Sequence, residues 1–475
     1  MVTLEDLRET LTTATASANL PKIIDRLLLE YVRRYEPLHK AFPRKTWLTD
    51  TYFFNQRNQL PKAQMTTEAP STTQVAASQS NYKQNGYPIK HTQTQLDIST
   101  FAAKVATVNG NLFDLELAGG AKSEVWLEGI VHLWGAQNAT LNTLRPQWDG
   151  ADNQIGSANK INGAGTAPTR NLLDSLIDSV RGVVSQELGT DWFFCLSPKM
   201  SSFINGLFVN QQRFIGNATI YARDDFGFPN APIVDNKLGA DAGLEVQTYR
   251  GIPLVLSSFM SNQGQMGTIS HTNNTGSGSS LSTSRTYYYV VEAITRYGPM
   301  YASTEVSDTP AGSGNNIVLS WSTPQPLDAF GNVIDIWGYR IFRSVDNAGG
   351  SGAETLYAEV SAYDTSDAAV TSFTDTGLIQ DPTVTNTLYW ATVAKNGSNA
   401  TSDGVTYPRT AANSEDIVLL PRNPEYLVVP VVNEIQSQML APVNARTRQF
   451  ALTSDLTLAM RAGLFGAKAY NVTTS

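Results

Sequence analysis

The 475-residue chain has one cysteine, Cys195, so it can form no internal disulfide and has no cysteine-rich metal motif. Cys195 lies in the apolar run Asp191–Leu196, where a thiol reads as a small buried hydrophobe rather than a nucleophile. Only four histidines occur, His39, His91, His132 and His271. They fall on different predicted elements, which is poor material for a metal site or general base, and each reads as a surface or packing residue. The sequence has no Gly-rich phosphate loop ending in Lys-Ser/Thr, no Gly-x-Ser-x-Gly elbow and no His-Glu-x-x-His pair. No catalytic, cofactor or metal residue is therefore assigned, and an ordinary enzyme is not expected. Charged residues make up only 16% of the chain and the net charge is −8, which argues against non-specific nucleic-acid binding through clustered Lys and Arg. No apolar stretch reaches the length that spans a membrane, and Met1–Leu7 lacks a basic region followed by an apolar one. Synthesis in a reducing cytoplasm without export is the simplest expectation.

What is abundant is uncharged polar residue: Thr, Ser, Asn, Gln and Gly, a surface suited to extensive subunit contacts. With 41% hydrophobic residues the chain can fill two or three cores. Thr3 and Asp6 resemble a capping box, and a second helix is predicted after Asn19 with Pro21 in its first turn. Its apolar stripe is Ile23, Ile24, Leu27, Leu28, Tyr31 and Val32, ending before Pro37. Thr49–Asn55 reads as a strand. From Leu60 to Tyr87 the chain is too polar to bury a core, and extended residues resume over Ile89–Val108. That pattern predicts a long two-stranded excursion that a partner must cover.

Helices are predicted at about Gly119–Asn142, with Val125, Trp126, Ile130 and Trp134, and at Thr169–Leu188, whose apolar residues share one face. A Gly/Asn-rich loop, Gly150–Pro168, lies between them. Trp192–Leu196 reads as a strand, followed by a helix capped by Ser197 with Pro198 in its first turn. Further strands are predicted at Gly251–Leu256, Ile417–Leu420 and Leu427–Val432, then an Arg-rich segment ending in Ala467–Val472. Between these flanks, residues 271–400 read as an inserted β-rich module, because domain insertions succeed at exposed loops of a host fold. A Ser- and Gly-rich linker, Thr275–Ser284, opens it. Short aromatic and β-branched strands follow at Tyr287–Ile294, Ile317–Trp321, Trp337–Arg343, Thr355–Val360 and Ser372–Asp375, a spacing that indicates a β-sandwich.

Outside the insert the arrangement resembles, in order, the major capsid proteins of tailed bacteriophages with the Hong Kong 97-type shell fold. The pieces are the helices before Pro37, the excursion near 57–105, the helix near 119–142, the loop around Asn159–Asn162, the helix entry Thr169–Asp174, the strand-to-helix step Leu196–Met200 and the turn Tyr249–Val255. The insert is similar to immunoglobulin-like modules of the fibronectin type III kind, carried by Tyr287–Ala293, Val318–Trp321, Gly338–Ser344 and Phe373–Leu378, with a strand order that looks rotated.

The resemblance implies an α+β fold with an N-terminal arm (1–56), an extended loop (57–105), a peripheral domain with a spine helix (106–188), an axial domain in two parts (189–270 and 401–475) and an inserted all-β immunoglobulin-like sandwich (271–400). It implies a virion protein, assembled in the host bacterial cytoplasm into hexamers and pentamers of an icosahedral shell around packaged DNA, without sequence-specific DNA binding. Its implied partners are further copies of itself, a scaffolding protein, a portal and a decoration or cement protein, and no membrane. No long, charged coiled-coil leader stands out, so a separate scaffolding protein or prior removal of a leader is expected. The insert is expected to project outward on flexible linkers, strengthening capsomers or binding host surfaces weakly.

Some members of that family cross-link subunits between an extended-loop Lys and an Asn beside a Glu. Lys83 and Lys90 lie in the corresponding region and Glu434 is a conceivable carboxylate, although solvated lysines on a polar arm are the plainer reading. Arg446, Arg448 and Arg461 read equally as inter-subunit salt-bridge residues or as a solvated basic edge. Trp321 and Tyr339 read as sandwich core rather than a glycan-binding face. Two rival functions are an encapsulin-like nanocompartment shell and a carbohydrate-binding or adhesive virion protein.

Overall fold

The computed structural model describes residues 37–61, 79–99, 112–135, 147–212, 248–275, 279–327, 333–346, 350–364, 368–377, 407–410, 414–440 and 447–473. The two predicted N-terminal helices lie outside these residues. Local sequence sets the centre of the fold: every residue of Trp192–Leu196 (β6) is buried, as its unbroken apolar run requires. Strand β6 lies inside a six-stranded mixed sheet ordered β5-β21-β17-β6-β8-β7, with β5 at Lys160–Thr166, β21 at Ala467–Thr473, β17 at Ser414–Pro421, β8 at Ile252–Leu256 and β7 at Thr248–Tyr249. Strands from before residue 257 and after residue 413 thus lie in one sheet. Helix Arg170–Val184 (α4) covers it with Leu173, Leu176, Ile177 and Val180, and is capped by Thr169 Oγ1, which accepts from Leu172 N. The Ser197 Oγ accepts from Met200 N and caps the next helix, Pro198–Gln212 (α5).

A second, elongated sheet runs β1-β18-β19-β4, with β1 at Arg44–Thr46, β18 at Leu427–Leu440, β19 at Thr447–Leu456 and β4 at Lys90–Ser99; Ala459–Met460 (β20) joins β18 from the side. Strands β4 and β19 pair without interruption from Lys90↔Leu456 to Thr447↔Ser99. The long helix α2, Leu112–Trp134, lies over this pair, after the short helix α1 at Leu38–Ala41 and before the short helix α3 at Ala151–Gln154. Helix α2 begins before the predicted Gly119, so the Gly119-Gly120 pair is helical interior rather than a start signal.

The reason is packing: a Cβ at Gly120 would stand 2.5 Å from Leu452 Cδ1 and 2.9 Å from Leu96 Cδ1, whereas one at Gly119 would meet nothing within 4 Å. Close approach of helix and sheet thus overrides the low helix propensity of glycine at one of the two positions. Gly119→Ala is expected to raise stability by about 0.5–1 kcal/mol and Gly120→Ala to give no such gain, a contrast readable from thermal unfolding of the two variants.

The inserted region forms two facing sheets. One is ordered β11-β10-β14-β15, from Gly298–Pro299, Tyr287–Thr295, Ile336–Val345 and Thr355–Ser361, with β12 (Val306–Asp308) also on β10; the other is β16-β13-β9, from Ser372–Asp375, Asn316–Trp321 and Ile269–Asn274. Tyr289, Val291, Ile317, Leu319, Ile341 and Tyr357 fill the space between them. Trp321 and Tyr339 belong to this core, 6% and 1% exposed with ring centroids 5.0 Å apart, so neither presents a glycan-binding face.

The flexible-linker expectation is corrected. Strand β9 begins before the Ser/Gly-rich segment, which therefore lies inside the two-sheet unit. Within that segment Leu281 is buried in the core, and Ser280 N donates to Thr376 O. The β10-β14-β15 sheet rests directly on the body, as its charged contacts show below.

Candidate interaction surfaces and the insert seam

A two-stranded excursion is formed by Thr51–Gln59 (β2) and Asn81–Pro88 (β3), which pair antiparallel from Thr51↔Pro88 to Gln59↔Asn81; its return strand lies in the polar run expected to be the tip, not in the segment from Ile89. Strand alternation gives the pair two unlike faces. Tyr52, Phe54, Gln56, Lys83, Asn85 and Tyr87 share the inner one, anchored where Tyr52 and Tyr87 pack on Val428 and Ala459. Tyr87 Oη donates to Met460 O at 2.9 Å, and the guanidinium of Arg461 donates to Tyr52 Oη at 3.2 Å while lying 5.9 Å from the Phe54 ring centroid.

The outer face carries Phe53 at 50% exposure, Tyr82 at 64% and Arg57. No third strand joins this pair among the described residues. An isolated two-stranded ribbon is marginal in water, so its exposed aromatic face needs a covering surface.

The far half of β18, Asn433–Leu440, is also largely exposed, with Met439 at 68%. Arg44 clamps its near end: it donates to Glu434 at 2.7 and 3.0 Å and to Glu128 of α2 at 3.1 Å, and His39 lies 2.8 Å from Glu128. Burial works against ionisation of Glu128, but the His39 hydrogen bond and Arg44 prevail and hold its carboxyl below the usual range. Four residues later on α2, His132 is fully buried and accepts from Trp148 Nε1 at 3.1 Å; burial pushes its pKa down to about 3 and keeps it neutral.

Between insert and body lies a buried charged seam. Arg340 of β14 donates to Asp152 Oδ2 at 2.8 Å, to Glu359 Oε1 at 3.0 Å and to Trp134 O at 2.6 Å, joining insert strands to α2 and α3. Lys468 of β21 bridges Asp152 Oδ1 at 2.6 Å and Asp416 Oδ2 at 2.8 Å. Arg409 donates to Asp416 at 3.0 Å, and its guanidinium stacks 4.3 Å from the Trp134 ring centroid. Burial alone would raise the Asp152 carboxyl; Lys468, Lys160 and Arg340 overcome it and hold it far below the usual range.

A second buried cluster fixes the insert itself. Asp375 accepts from Arg343 at 2.8 Å, from Tyr289 Oη at 2.6 Å and from Tyr357 Oη at 2.5 Å.

Of the five basic residues singled out in the sequence, the four that are described do not converge. Lys83 lies on the inner arm face, half-buried, and Lys90 is partly buried at the start of β4, where burial lowers its pKa against the opposing pull of Asp149. Arg448 lies in β19 opposite Ile98, Arg461 sits under the arm, and Arg446 is outside the described residues. Glu434 is taken by Arg44 rather than placed in an apolar setting. Three histidines face carboxylates, His39 with Glu128, His91 with Asp455 and His271 with Asp308. The described residues hold no group of three or more metal-ligating side chains, and no described helix is long and apolar enough to cross a membrane. Sequence reasoning missed the seam: Asp152, Arg340, Arg409 and Lys468 are scattered over more than 300 positions and carry no local motif.

No protein-family model and no curated protein matches the chain. Solved structures to which the chain is similar include one from Gordonia phage Cozz, at 8% identity and TM-score 0.46 over 96% of this chain and 93% of that one. Another is a capsid chain of a native GTA particle, at 7% identity and TM-score 0.46 over 98% and 99%. A third is the holo-SrpI encapsulin complex from Synechococcus elongatus, at 10% identity and TM-score 0.40 over 98% and 96%.

Proposed function

We propose that this chain is a major capsid protein of a tailed double-stranded DNA bacteriophage, with the Hong Kong 97-type shell fold. Many copies assemble into an icosahedral head around the genome, with the immunoglobulin-like insert on the outer surface. One observation carries the reading: the β2–β3 arm leaves the body with an aromatic outer face and no covering strand among the described residues. A neighbouring copy is the partner that supplies cover in a closed shell, where every subunit presents the same arm and the same receiving surface. The exposed half of β18 offers further contact area, and sparse charge lowers the desolvation cost of such interfaces.

In this proposal the arm lies over an adjacent subunit by the face bearing Phe53 and Tyr82, opposite the face that carries Lys83 and with Lys90 beyond the end of the arm, and Arg446 and Arg448 lie toward subunit boundaries. Scaffolding, portal and cement proteins are the further partners of the assembly, and the shell works by positioning rather than by catalysis. Electron microscopy of the purified chain, expressed alone and with its neighbouring structural genes, is expected to show closed particles or capsomer rings. Dispersed monomers in both preparations would remove the proposal.

A further inference from the structure

The seam between insert and body holds an odd number of buried charges. Five carboxylates, Asp149, Asp152, Glu292, Glu359 and Asp416, are each at most 9% exposed. Four buried cations lie among them, Arg340, Arg409 and Lys468, each at most 2% exposed, and Lys160, whose side chain is 1% exposed; the half-buried Lys90 faces Asp149. Nearby Glu415 is occupied by a hydrogen bond from Ser197. Removing an unbalanced charge from water is costly, and a carboxylate in that position takes up a proton instead.

Two of the five carboxylates are the candidates. Asp152 is fixed as an anion by Arg340 and Lys468, with Lys160 Nζ 3.9 Å away, and Asp416 pairs with Lys468 and Arg409. Glu359 of β15 faces Arg340 from β14 and, from the body, Asp149 and Asn153, so one cation shared with Asp152 is opposed by a second carboxylate. Glu292 of β10 faces Arg409, Arg340 and Lys468 but also Asp416.

We infer that closing the seam takes up a proton held between Glu292 and Glu359, so that seating of the insert on the body is linked to pH. Burial pushes both carboxyls up to about 7, against an ordinary value of 4.5. A raised carboxyl favours the closed state while it is protonated. The contribution is complete below about pH 4.5 and is lost as pH rises through 7. The seam is therefore tightest in mild acid and opens more often in mild alkali. This linkage is a property of the single chain and does not depend on shell assembly.

Hydrogen exchange of the full-length chain between pH 4.5 and pH 9, corrected for the intrinsic pH dependence of amide exchange, tests this. Peptides covering Trp134, Ala151–Gln154 and Ile336–Val345 report the seam, and Trp192–Leu196 reports the body core. Between about pH 4.5 and pH 7 the seam peptides are expected to lose protection by up to about tenfold per pH unit for each proton released and to level off above pH 7, while the core peptide does not follow. In Glu292→Gln and Glu359→Gln the slope is expected to fall, each amide remaining neutral throughout. Seam protection independent of pH in the wild-type chain would overturn the inference, as would a slope unchanged in both variants.

Discussion

Arg340→Met is expected to lower folding stability by about 3–5 kcal/mol, the cost of leaving a buried ionic partner uncompensated. Arg340 is 2% exposed and its guanidinium donates to three acceptors on three different elements, Asp152, Glu359 and the Trp134 carbonyl. Methionine fills part of the volume but supplies no donor, so Asp152 loses its contact to the insert and Glu359 its cation. The contrast is Arg285, whose pair with Asp346 at 3.4 Å is 42% and 35% exposed. Arg285→Met is expected to change stability by no more than about 0.5 kcal/mol, since water already screens that pair. Guanidinium midpoints of the two variants against the unsubstituted chain give the comparison. Equal effects at the two arginines would mean that the seam does not hold the insert.

The second large effect is on assembly. Phe53→Asp combined with Tyr82→Asp places two charges on the outer face of the arm, where the single chain leaves both side chains about half exposed or more. Phe53 covers Gly86 across the ribbon, so a cost within about 1 kcal/mol to the chain itself is expected. In a shell that buries this face, each charge would lack a partner. An uncompensated buried charge costs about 3–5 kcal/mol, so the concentration needed for assembly should rise by at least about 100-fold. Sedimentation of the variant beside the parent chain, with thermal unfolding as a check on folding, separates the two effects. Normal assembly of the variant would place the arm's outer face in solvent in the assembled state.

Much of the fold is legible in the sequence because it is local. The apolar run at Trp192–Leu196, the amphipathic stripe of α4, the Ser197 cap and the five predicted strands of the insert all recur within a few residues of the expected positions. Each rests on a periodicity or a cap that a short window contains. What could not be read is long-range. Strand β19 is polar enough to pass as loop, and its partner β4 lies about 350 residues earlier. The extended segment predicted from Ile89 leaves the arm at once and becomes an edge of the β18–β19 sheet.

The candidate surfaces divide in the same way. The arm announced itself by lacking a core, whereas the seam was invisible because Arg340 and Lys468 sit in strands as ordinary charged residues and Asp152 lies within a polar loop. Their burial depends on two sheets meeting, which no local pattern encodes. Arg461, read equally as an inter-subunit salt-bridge residue or a basic edge, is under the arm because its neighbours Tyr52 and Phe54 fold back over β20.

Electron microscopy of the purified full-length chain, expressed alone and with its neighbouring structural genes, tests the central claim most directly. The account predicts closed shells or capsomer rings in which the face bearing Phe53 and Tyr82 lies against an adjacent subunit and the insert is seated on its own body. Dispersed monomers in both preparations, or assemblies in which that face is open to solvent, would contradict it.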